Sequence, residues 1–172
     1  MSDPTPPAPR ASRPNIPYGL LDASEGQGLF PWSQVSERML AAHIYWIATT
    51  RPDGRPHVMP VWGVWLDEVF YFSTGANSVN GRNLAANPSL VVHLESGEDV
   101  IILEGIAEEI REPSLIARIN DVYGPKYDWD ERMPSFYALR PTVAFAWLCR
   151  GGGPSSEKDF TGSATRWRFQ EG

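Results

Sequence analysis

The segment Thr74-Gly75-Ala76-Asn77-Ser78, with Arg82 four residues beyond it, has the residue types needed to hold an anion. It follows a β-favouring run, residues 69–73, and leads into a helix-like run, residues 78–86. That run stops at Asn87-Pro88, because proline disfavours helix at the residue ahead of it. A strand delivering its chain into a helix start presents unpaired N–H groups and the positive end of the helix dipole. Gly75 allows close backbone approach, Thr74 and Ser78 add hydroxyl donors, and Arg82 lies one turn into the helix. The same residues also suit an ordinary turn capped by Asn77 or Ser78. Local chemistry alone leaves both readings open.

Other reaction chemistries find little support. His43, His57 and His93 show no metal-ligand spacing and no neighbouring Cys or carboxylate cluster, so they read as hydrogen-bonded structural histidines and no metal is expected. There is no nucleophile elbow, phosphate-binding P-loop or GxGxxG, and the Gly151–Pro154 stretch GGGP lacks a strand-and-helix context. No residue is assigned as catalytic. Chemistry carried by a bound cofactor fits such a chain better, because the protein then supplies position and electrostatics.

Composition narrows the partners. The 172 residues suit one domain, 42% hydrophobic and 12% aromatic with seven Trp. A net charge of −6 argues against nucleic acid, whose phosphate backbone needs a basic face. No apolar run approaches the ~20 residues of a membrane span. Cys149 is the single cysteine, so no internal disulfide or multi-cysteine zinc site is possible, and a reducing cytoplasm is the expected location. Of fifteen basic residues only Lys126 and Lys158 are lysines. Arginine forks suit phosphate and carboxylate, and a GC-rich genome produces the same bias. Residues 1–28, rich in Pro and Ser at the start, read as a flexible N-terminal arm that lies over a partner subunit, and 29–172 as the folded domain.

The elements that must position these residues are mostly strands. Residues 44–50, 57–65, 69–73, 89–95, 100–110 and 141–148 carry β-type composition, and 164–169 suits a short final strand. Helical spacing is found at 32–43 and 115–124, and residues 151–159 read as a mobile loop. Strand and helix do not alternate regularly, so the expectation is a mainly β fold: a six-stranded antiparallel barrel with peripheral helices. The strand 57–65 is apolar on both faces, His57, Met59, Val61 and Trp65 opposing Val58, Pro60, Trp62 and Val64. Both faces must therefore be covered, by the core on one side and by a ligand, a helix or another subunit on the other. Pro60 cannot donate to a ladder, which puts the strand at an edge or bulge.

The ordered series ATTRPDGRPHVMPVWGVWLDEVFYFSTG, RNLAANPSLVVHLE, VIILEGIAEEI and SATRWRF resembles the flavin-binding split β-barrels. These are the pyridoxamine-5′-phosphate-oxidase-like proteins and their deazaflavin-dependent relatives. The resemblance implies a homodimer with two cofactor sites at the subunit interface, taking FMN or, alternatively, a deazaflavin, and a small planar substrate. It implies that the ring lies along His57, Val58, Met59, Pro60, Val61 and Trp62, and that the phosphate lies near Thr74, Ser78, Asn80 and Arg82. Trp147, Arg166 and Trp167 would come from the other subunit. One departure stands out: where oxidases of this family place an Arg-Lys pair, this chain has Val79-Asn80. A charge-assisted hydrogen bond to phosphate contributes ~1.5–3 kcal/mol, so losing two weakens affinity by roughly two to four powers of ten. Arg82, Arg55 or an arginine of the partner chain would have to compensate. The gap also leaves open a non-catalytic module of the same fold that binds flavin or haem.

Overall fold

The computed structural model describes residues 8–169. Helix α1 (Trp32–Ala41) buries Val35 and Met39. Strand β2 (Tyr45–Thr50) turns Tyr45, Ile47 and Thr49 into the core and leaves the alternate residues half-buried, the period of two that a strand imposes. A turn with Gly54 at φ +85° reverses the chain into β3 (Pro56–Val61). One residue later β4 (Gly63–Leu66) begins, and Asp67 and Glu68, both at positive φ, connect it to β5 (Val69–Phe72). Two successive positive-φ residues match the twist of a two-residue hairpin. Their carboxylates hold the turn from outside: Asp67 accepts from Arg118, and Glu68 from Trp32 and Ser36.

Helix α2 (Val79–Ala86) is followed by β6 (Ser89–His93), β7 (Asp99–Ile110), α3 (Pro113–Tyr127) and β8 (Phe136–Leu148). The chain ends in α4 (Pro154–Ser163) and β9 (Thr165–Arg168), and β9 pairs with β1 (Arg10–Ser12). The strand path is β1-β9-β8-β7-β6-β2-β3, all antiparallel, with β5 joining β4 to the first part of β8. Strand β8 is where the sheet divides. One side pairs with β7 along its length, while the other pairs first with β5 and then with β9. Since Trp62 alone separates β3 from β4, the circuit β4-β5-β8-β7-β6-β2-β3 returns to its start through the chain itself. Counting β3 and β4 as one run, six antiparallel strands wrap a core that includes Ile47, Phe70, Phe72, Val92, Leu103 and Trp167. This is the expected split barrel with peripheral helices.

Two expectations are corrected. Residues 154–163 form α4 and not a mobile loop. Pro154 opens the helix, and Ser163 Oγ accepts the Leu148 N–H at 2.9 Å, fastening α4 to β8. The N-terminal arm is also docked from Arg10 onward. Arg13 donates to the carbonyls of Leu21, Asp22, Gly162 and Ala164 at 2.8–3.1 Å, so one guanidinium staples the arm to the end of α4. Residues 1–7 of the expected arm lie outside the described residues. No helix among the described residues is long and apolar enough to cross a membrane.

Candidate functional site

Strand β3 pairs with β2 and has no strand on its other side among the described residues. Pro56 and Pro60 have no N–H, so they fit only the positions whose nitrogen points away from β2. Val58 shares their alternation and turns its N–H and C=O to the open side as well. The free edge thus offers one amide donor, at Val58, and a row of carbonyl acceptors. Around it lie large apolar side chains at the surface: Val58 is 46%, Met59 44% and Trp62 39% exposed. His57 is half-buried beside them, and Val61 packs against the core.

The break at Trp62 is held by α3. The Gly63 N–H donates to Tyr127 Oη at 2.8 Å, and the Gly63 carbonyl accepts from Lys126 Nζ at 2.9 Å. Lys126 also donates to Tyr45 Oη, which in turn donates to the Met39 carbonyl. Backbone groups that leave the ladder at a strand break need such partners. Trp62 stacks on Tyr127, 4.6 Å between centroids and 5° from parallel, so the same tyrosine fixes its indole. Burial lowers the Lys126 ammonium to about 8 and pushes the Tyr127 phenol up to about 12; burial likewise raises Tyr45.

These shifts have opposite consequences. Between about pH 8 and 10 the unfolded lysine holds its proton and the folded one releases it, so stability rises with pH. Above pH 10 the folded tyrosines keep protons that the unfolded chain loses, and stability falls. The urea midpoint is therefore expected to pass through a maximum near pH 10. Lys126→Met should remove the rising limb and leave the falling one, which a series of urea melts from pH 7 to 11 will read.

The α2 end lies at the same corner of the sheet. Ser78 caps the helix, its Oγ accepting from Gly81 N–H at 3.0 Å and lying 2.8 Å from Thr74 Oγ1. A Cβ on Gly81 would stand 2.3 Å from the Gly75 carbonyl oxygen, so glycine lets the 75–76 backbone lie directly on the helix. Gly81 and Arg82 direct their N–H groups to Ser78, whereas those of Val79 and Asn80 have no acceptor among the described residues. The Asn80 side chain is turned inward: Thr49 Oγ1 lies 3.3 Å from Asn80 Oδ1 and accepts from Asn83 Nδ2 at 2.9 Å. Asn80 therefore commits its amide oxygen to Thr49 and leaves its backbone N–H free. Arg82 is exposed and donates to the Asn77 carbonyl. Across the β2–β3 ladder Thr49 faces His57, whose Nδ1 lies 3.1 Å from Arg51 Nη2.

Thr49 and Arg51 were not anticipated. The threonine had a signal, its inward position on an apolar strand, whereas Arg51, which opens the turn, had none.

The residues near the C-terminus lie elsewhere on this chain. Directly opposed strand residues share a face, so the pairings carry one row across the outside of the sheet: Pro60, Trp46, His93, Ile102, Phe145 and Arg166. A second row runs from Val58 through Val91 and Val143 to Arg168. Most of this face is apolar and only half-buried, whereas α3 covers the outside of β4, β5 and the start of β8. Trp147 stands on the same open face against the edge of Phe160, 5.8 Å away. Arg166 Nη2 reaches Ser12 Oγ at 3.4 Å, while its buried Nε has no partner among the described residues. Trp167 is corrected: at 1% exposure it belongs to the barrel core and presents nothing to a ligand. One chain thus gathers His57, Thr74, Ser78, Asn80 and Arg82 at one corner, and places Trp147 and Arg166 four to five strands away.

Comparison with known proteins agrees with this fold. A conserved hypothetical protein from Mycobacterium tuberculosis is 20% identical with a TM-score of 0.62, over 73% of this chain and 94% of that one. An F420 reductase is 26% identical with a TM-score of 0.51, over 63% and 94%. A pyridoxamine 5′-phosphate oxidase-related, FMN binding protein from Nostoc punctiforme is 18% identical with a TM-score of 0.53, over 73% and 88%. No curated protein matches the sequence significantly. Residues 32–147, from α1 through most of β8, match the family model described as pyridoxamine 5′-phosphate oxidase, and the chain belongs to that family.

Proposed function

We propose that this protein is an FMN-dependent oxidoreductase acting as a cytoplasmic homodimer. The observation that carries the reading is the free edge of β3. Its single Val58 N–H, its carbonyl row and the exposed Val58, Met59 and Trp62 suit a flat heteroaromatic ring with its own donors and acceptors. The corner that follows suits the phosphate, with free N–H groups at Val79 and Asn80, hydroxyls at Thr74 and Ser78, and the Arg82 guanidinium. A second copy laid on the open outer face would bring Trp147 and Arg166 to the ring and cover the apolar rows. When bound, FMN supplies the hydride chemistry; the chain orients the ring, excludes water and shapes the space for a small planar substrate. The likeness to an F420 reductase supports a deazaflavin as the alternative cofactor, and the acidic net charge favours FMN over that longer anionic coenzyme.

The test is the absorbance spectrum and mass of whatever co-purifies, followed by titration with FMN and with F420 and by sedimentation. Saturable FMN binding with a dimeric mass supports the reading; a protein that binds neither cofactor refutes it. Arg82→Ala is expected to weaken FMN at least tenfold, by fluorescence titration. Unchanged affinity would move the phosphate away from α2.

A second reading is a module of this fold that binds flavin or haem without turnover. It is favoured by the missing basic pair, since Asn80 carries no charge and its amide oxygen is taken by Thr49. A heme binding protein from Mycobacterium smegmatis shares the fold at 21% identity. Steady oxidation of reduced FMN by an acceptor would exclude it.

A further inference from the structure

We infer that Arg51, oriented by His57, is the phosphate-selecting residue of this site and takes the place of the basic pair absent at Val79-Asn80. The inference rests on the FMN reading and adds to it the residue that distinguishes a phosphorylated ligand from its dephosphorylated form.

Seven other arginines of this chain are engaged elsewhere. Arg55, in the same turn, is bound to Asp53 by Nε at 2.9 Å and Nη2 at 2.7 Å. Arg38, Arg111, Arg118, Arg132 and Arg150 each face a carboxylate. Arg13 is spent on carbonyls. Arg51 has no carboxylate partner among the described residues, and the Asp53 carboxylate beside it is committed to Arg55. Its Nη2 instead meets His57 Nδ1 at 3.1 Å.

A guanidinium donates and never accepts, so His57 Nδ1 is the acceptor and the ring hydrogen sits on Nε2. The contact therefore does two things. It holds a half-buried guanidinium in one direction with its remaining N–H groups available, and it sets His57 as a second donor. His57 is the cross-strand partner of Thr49, about 5 Å away by strand geometry, and Thr49 is the residue that anchors α2 through Asn80 and Asn83. The pair thus flanks the corner where the Val79 and Asn80 N–H groups are free. A planar fork suits the paired oxygens of a phosphate better than a lysine point charge. A fork already held in place by His57 loses little side-chain freedom on binding.

FMN and riboflavin differ by the phosphate alone, so their affinities for the full-length protein isolate this contact. The wild-type protein should bind FMN at least tenfold more tightly than riboflavin. In Arg51→Gln the FMN affinity should fall at least tenfold with riboflavin unchanged, and Arg51→Lys should recover only part of the difference. Far-UV circular dichroism checks that each variant is folded. Should Arg51→Gln unfold, the Lys variant and the loss of the FMN margin with rising salt carry the test. An Arg51→Gln protein that keeps the wild-type margin overturns the assignment and leaves the FMN reading intact. Equal loss for both ligands also overturns it, because that means the site changed shape. A wild-type protein that binds neither ligand overturns both.

Discussion

Trp167→Ala is expected to lower the free energy of unfolding by about 3–5 kcal/mol, the range for deleting a buried tryptophan from a packed core. A domain of this size has about 5–15 kcal/mol in total, so the variant should sit near the limit of folding. Trp167 stands opposite Ala144 on β8 and Ala11 on β1, and these small neighbours leave the room its indole fills. Trp32 lies edge-on at 5.5 Å, and Trp32 in turn contacts Trp65 and Phe169. The lost indole therefore leaves a cavity ringed by aromatic groups that are fixed by one another. Urea melts measure the loss, with Trp167→Phe as the variant that keeps part of the packing. A loss below about 1 kcal/mol together with a large change in FMN affinity would place the indole against the ligand and undo the core assignment.

Gly63→Ala is expected to destabilise by about 1–3 kcal/mol or more, the usual cost of overpacking. A Cβ at position 63 would lie 2.4 Å from Phe70 Cε2 and 2.7 Å from the Tyr71 carbonyl oxygen. Phe70 is fully buried and cannot swing aside. Moving the backbone instead would pull Gly63 from Lys126 and Tyr127, which hold the strand break. The loss should therefore overlap with that of Tyr127→Phe. A double-mutant cycle should show the pair costing less than the sum of the singles, as expected for residues in one network. Strict additivity would mean that the clash with Phe70 is absorbed without disturbing α3.

Much of the barrel could be read from composition and alternation. Pro60 placed its strand at an edge, and the structure adds Pro56 in the same alternation. The two apolar faces of residues 57–65 implied a second face in need of cover, and Val58, Met59 and Trp62 are exposed in this chain, although the run is two strands and not one. Nothing local marks the break at Trp62–Gly63, because apolar residues continue on both sides of it; Phe70, seven residues away, is what requires glycine there. Trp167 could have been assigned correctly, since Arg166 and Arg168 alternate with Thr165 and Trp167 and only one of the two sets can face the core. The Arg51–His57 contact was out of reach, since it depends on how the 51–56 turn folds its side chains back onto β3. The α4 helix was hidden by its composition, as three glycines precede it and it has no continuous apolar stripe. Strand β1 is a tertiary product: three residues of ordinary composition become a strand because β9 offers them an edge.

That last pairing also orders events in time. Synthesis runs from the N-terminus, so residues 10–12 have no strand to join until residues 166–168 are made and laid against β8. The carbonyls of Gly162 and Ala164 that Arg13 grips arrive equally late. Closing a loop of this length is a contact of the slowest kind, formed after the local hairpins. Residues 10–12 are thus made before their partner strand and seated only after it is in place.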